Sequence, residues 1–85
     1  MYPDVQAWLK YCDRHHIRGH DNENYEKYAP ALINKHILRL DDIIELSHME
    51  LEQLCTGMET GTARRLLRFA VDDVRALKDG KEMII

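Results

Sequence analysis

Apolar residues first fall into a helical rhythm at Val5, Trp8, Leu9 and Cys12, an i, i+3, i+4, i+7 series that predicts one buried helix face. Pro3 and Asp4 precede it, where a first turn tolerates proline and an acidic side chain. The pattern fades across Asp13 to His16. The polar, glycine-bearing stretch from Arg18 to Asn24 predicts a loop. Helical spacing returns at Tyr25, Tyr28, Ala29, Leu32 and Ile33. A proline inside a helix removes a hydrogen bond and clashes with the turn before it. Pro30 therefore puts the helix start near Tyr28-Ala29, with Tyr25 in an irregular or single-turn lead-in.

Asp41 and Asp42 stand before Ile43, Ile44 and Leu46, which predicts a short helix with acids at its start. Ser47-His48-Met49-Glu50 is a capping box that opens the next helix, and Asp41 and Glu50 are both accounted for as caps. Met49, Leu51 and Leu54 supply that helix's apolar side, and Gly57 stops it. The final helix carries Ala63, Leu66, Leu67, Ala70, Val74 and Leu77 on one face. Arg64, Arg65, Arg68, Asp72, Asp73 and Arg75 fall largely off that face. Asp79-Gly80 ends it. The expected division is one domain over 3–79 and a flexible tail over 80–85. No strand-like alternation, repeat or low-complexity tract interrupts the pattern. The expected fold is all-α, a compact five-helix bundle with a long C-terminal helix.

Composition narrows the function. With 32 % charged residues but a formal charge of −3, the chain suits a globular domain, and any nucleic-acid contact has to be a local basic patch. No apolar run approaches the ~18 residues of a membrane span, and no leader pattern opens the chain. An intracellular setting, cytoplasmic or nuclear, is the expectation. It goes with reduced thiols at Cys12 and Cys55, the latter as a small core residue.

The ordered set of residues resembles the sterile alpha motif (SAM) family from about Pro3 to Leu77. It consists of Val5-x-x-Trp8-Leu9, Tyr25-x-x-Tyr28 and Leu40-x-x-Ile43-Ile44-x-Leu46, followed by Ser47-x-x-x-Leu51-x-x-Leu54 and Gly57-Met58-x-x-Gly61-x-Ala63-Arg64-Arg65-Leu66-Leu67. Two departures are a longer, more polar loop from Ile17 to Asn24 and the proline at position 30. The resemblance implies a protein-association module whose copies join head to tail, to themselves or to another SAM-like domain. Its end-helix surface would be Gly61, Thr62, Arg64, Arg65 and Arg68. Its mid-loop surface would be Asp41, Asp42, Glu45, Glu50 and Glu52. The residues alone reach a compatible reading, because a basic helix start and a separate acidic segment favour unlike contacts between copies. Glycines at that helix start would let a partner approach the backbone. The plain alternative makes the arginines solvated charges, with Asp72 and Asp73 as their local partners.

Other chemistries fit less well. Gly61-Thr62-Ala63-Arg64-Arg65 partly matches the basic step with which one SAM subgroup is similar in gripping RNA hairpins, making nucleic acid the alternative function. Gly57 and Gly61 are four apart, whereas a DNA-holding helix-hairpin-helix has its glycines two apart. Cys12, His15, His16 and His20 offer metal ligands in one loose cluster without a second paired motif, so no metal or other cofactor is expected. Ser47 and its neighbour His48 make no nucleophile–base pair, and nothing else suggests an enzyme or a small-molecule substrate. Trp8 and Tyr28 are read as core anchors, and Met58 as a filler in the last turn.

Overall fold

A computed structural model describes residues 2–83, and within them the chain is all-α. Five α-helices follow in order: α1 Val5–Arg14, α2 Ala29–Asn34, α3 Leu40–Ile43, α4 His48–Leu54 and α5 Thr60–Lys78. A single 3-10 turn, Tyr25–Tyr28, leads into α2. The long helix α5 has 19 residues, about 28 Å of axis at 1.5 Å per residue, and α3 and α4 pack along it.

Local chemistry explains most boundaries. Asp4 caps α1 by accepting from the Ala7 amide at 2.8 Å, and the face Val5, Trp8, Leu9 and Cys12 is fully buried. Pro30 occupies the first turn of α2, where its missing N–H costs no helical bond. Ser47 and Glu50 form the predicted reciprocal box at α4, with bonds of 3.1 and 3.0 Å. Two helices end in Schellman turns. At α5, Lys81 N–H donates to the Ala76 carbonyl and Gly80 N–H to that of Leu77, with Gly80 at φ +84. At α2, Ile37 N–H donates to Leu32 and His36 N–H to Ile33, with a histidine at φ +60.

Four expectations need correction. Met49 is 62 % exposed, because at the second position of α4 it points away from buried Leu51 and Cys55. Asp42, the third residue of α3, makes the cap by accepting from the amides of Leu38 (3.0 Å) and Arg39 (3.1 Å); Asp41 takes no such bond. Asp73 lies in the core instead of off it. The start of the expected tail is held, since the Schellman bonds fix Gly80 and Lys81, both exposed, and Met83 lies partly buried against the core. Residues 84 and 85 of that tail fall outside the described residues.

Contacts between distant segments close the bundle. The strand-like residues before α1 and α3 pair, with Val5 N–H donating to Leu38 and Leu40 N–H to Pro3 at 2.9 and 3.0 Å. Asp13, at the end of α1, caps the 3-10 turn across the loop by accepting from the amides of Tyr25 and Glu26 at 2.6 and 2.9 Å. The loop between them is fastened by Arg18, which reaches α5 and pairs with Asp73. Trp8 Nε1 donates to the same carboxylate at 2.8 Å.

Candidate interaction surface at α5

Helix α5 begins after Glu59, whose side chain makes no cap bond. Its first turn is held by carboxylates from elsewhere. Glu52 on α4 accepts from the Thr60 hydroxyl at 2.7 Å, and its other oxygen meets His48 Nδ1 at 3.0 Å. These two contacts, Thr60's first, hold the Glu52 carboxyl below its ordinary range. On the other flank, Glu23 accepts from the Thr62 hydroxyl at 2.5 Å and lies 3.6 Å from the Arg65 guanidinium. Burial raises the neighbouring Tyr25 phenol, while Arg65 beside it pulls the other way.

The predicted end-helix set therefore divides. Gly61, Arg64 and Arg68 are exposed. Thr62 is 4 % exposed and committed to Glu23, so it presents nothing to a partner. Arg65 is half withdrawn into the same ion pair, with its Nε buried and unbonded. A Cβ at Gly61 would meet only an Arg65 nitrogen at 3.7 Å, an ordinary contact, so the chain's own packing does not demand glycine there. Among the described residues, no acidic side chain lies within ion-pairing distance of Arg64 or Arg68. The local partners expected for them are absent: Asp72 is exposed without an ion pair, and Asp73 is turned inward to Arg18.

The row continues beyond the residues named from sequence. Arg64, Arg68, Val71, Arg75 and Lys78 recur at steps of four, three, four and three, one stripe of a 3.6-residue helix. All five are exposed, and four are cations.

The mid-loop set also divides. Asp42 is spent on the start of α3, Glu50 bonds the Ser47 amide, and Glu52 belongs to the start of α5. Asp41 and Glu45 remain without a partner among the described residues, Glu45 exposed and Asp41 partly so. Placing Glu52 beside Thr60 removes it from the acidic face and makes it part of the opposite surface.

The remaining candidates do not converge. Among the described residues, no group of three His, Cys, Asp or Glu side chains is placed to hold a metal. Cys12 is buried beside Arg18, whereas His15 turns Nδ1 toward the amides of Ile17 and Arg18 at 3.2 and 3.3 Å. His20 stands out in solvent near Asp21. No described helix is long and apolar enough to cross a membrane.

No family model matches the chain, and no curated protein or solved structure matches it significantly. The functional reading rests on these residues and their geometry.

From sequence, Arg18, Glu23 and Asp13 are given no role, and Asp73 is taken for a local partner of the α5 arginines. For Asp73 a signal existed. It falls between Leu66, Ala70 and Leu77 on the apolar stripe of α5, and a carboxylate there has to find a partner or leave the core.

Proposed function

We propose that this chain is a SAM-like association domain, without catalysis, that binds an acidic face of another copy or of a related domain through the outer stripe of α5. The reading is supported chiefly by Arg64 and Arg68, exposed in the first half of a long helix and, among the described residues, in no ion pair; Arg64 adds a weak pull on the Glu52 carboxyl from beyond ion-pairing distance. Unpaired cations at a helix start, next to backbone amides not used within the helix, suit a carboxylate-bearing partner. Asp41 and Glu45 are carboxylates of the kind required. The acidic groups lie on and just after α3 and the basic ones on α5, and unlike patches on different elements favour a heterologous contact, head to tail.

The test is sedimentation velocity on the wild type and on Arg64→Glu/Arg68→Glu, over a range of concentration and salt. Growth of the wild type with concentration, reduced by salt and abolished in a folded variant, is the expected result. Association unchanged by the charge reversal sinks the reading. The four cations on the stripe also favour a second reading, an RNA hairpin gripped through its phosphates. A hairpin shifted by the wild type, with affinity falling steeply in salt, would select it.

A further inference from the structure

The outer stripe of α5 borders a groove with Ile44, the residue after α3. Its lining is Ile44, Val71, Val74, Arg75 and Lys78: an apolar floor with a cationic edge and no acidic group. Val74 is buried at its base, while Val71 is 41 % exposed. The carboxylates nearest in sequence, Asp72 and Asp79, are exposed and lie outside ion-pairing distance of Arg75 and Lys78. An apolar patch rimmed by unpaired charge of one sign fits a partner with an apolar side chain set among acids.

The same chain carries an exposed apolar side chain with acids close to it in sequence. Met49 is 62 % exposed, so it is not seated in its own chain's groove. Exposed Glu50 follows it, and exposed Glu45 stands four residues before it. Methionine is unbranched and adapts to irregular apolar clefts. We infer that the groove between Ile44 and the second half of α5 receives Met49 of a second copy of this chain, with Glu45 of that copy, and the Glu50 oxygen not used by the Ser47 amide, set against Arg75 and Lys78. The inference rests on the reading of α5's outer face as an association surface and adds its apolar anchor. Met49 lies on α4 and the groove on α5 with Ile44, so each copy can give one and receive the other.

Met49→Glu destroys the knob and Val71→Glu the groove, each at an exposed position where folding is retained; circular dichroism and Trp8 fluorescence check this. Each variant alone should associate at least about tenfold more weakly than wild type by sedimentation velocity, as loss of an anchor requires. Mixed in equal amounts, they should form a dimer and nothing larger, because one retains the knob and the other the groove. Either variant assembling like wild type overturns the inference, and so does a mixture that stays monomeric. If Arg64→Glu/Arg68→Glu abolishes assembly while Met49→Glu and Val71→Glu do not, the cationic start of α5 stands and the groove falls. A wild type still monomeric at about 1 mM removes the second copy as occupant.

Discussion

Arg18 and Asp73, 55 residues apart, form a two-point ion pair with Nη1–Oδ2 at 2.5 Å and Nη2–Oδ1 at 2.8 Å. The side chains are only 14 % and 10 % exposed. The guanidinium also lies 4.7 Å from the centre of the Phe69 ring and 5.8 Å from that of Tyr11. The pair ties the loop after α1 to the last helix, and the Trp8 indole N–H completes Asp73's acceptor set. Asp73, through its hydrogen bonds, holds the Arg18 guanidinium charged beyond its ordinary range.

Breaking this pair from one side strands a largely buried charge, which costs about 3–5 kcal/mol. Arg18→Met and Asp73→Leu should each lower the stability measured by urea denaturation by that order. The double variant should lose much less than the sum, since it leaves only the Trp8 N–H unpaired. Simple additivity would mean that the two side chains do not act as a pair.

Gly19 packs against the end of α1. A Cβ there would sit 2.1 Å from the Asp13 carbonyl oxygen and 3.0 Å from that of His15, both backbone atoms that cannot swing away. Gly19→Ala should therefore destabilise the domain by about 1–3 kcal/mol, the usual range for forced overpacking. Thermal unfolding followed by circular dichroism reads this directly, and an unchanged midpoint would contradict the close approach.

His36 closes α2 in a left-handed conformation that strains a residue with a Cβ. Glycine adopts it freely at the cost of a looser unfolded chain. His36→Gly should be net stabilising by about 0.5–1 kcal/mol, and His36→Ala should not share the gain. Urea midpoints of the two variants, compared side by side, decide it.

Burial pushes the Cys12 thiol up to about 12 and that of Cys55 up to about 11, from an ordinary 9.0. Both thiols are free and buried, so a thiolate-selective reagent at pH 8 should label neither until the protein unfolds. Because the folded values are raised, the unfolded chain releases these protons first as pH climbs. Their contribution to stability is complete below about pH 9 and is lost as pH rises toward 11 to 12. Stability measured across pH 8 to 11 should decline, and less steeply in Cys12→Ser, whose hydroxyl does not ionise there.

Short-range chemistry made much of the fold legible. The capping box at Ser47 and Glu50, the late start of α2 set by Pro30, and the turn at Gly57 with φ +88 each depend on residues within one turn of each other. Helical periodicity likewise marked Val5, Trp8, Leu9 and Cys12 as a buried face. Met49 failed because α4 has only seven residues, too few for its apolar positions to define one face. Of the residues expected to meet a partner, Arg64, Arg68, Asp41 and Glu45 have no ion pair among the described residues. Thr62, Arg65, Asp42 and Glu52 are taken up by the fold itself.

The sequence by itself determined the helices and most of their ends, because propensity, capping and periodicity act over three to seven residues. Only the tertiary structure decided which charges are free. Whether Asp73 meets Arg18, Glu23 meets Thr62 or Glu52 meets Thr60 depends on segments brought together by packing, over separations of 55, 39 and 8 residues. A carboxylate reads the same in the chain whether it will face solvent or a distant arginine. The approach of that arginine, and the burial that makes leaving it unpaired so costly, exist only once the bundle has closed.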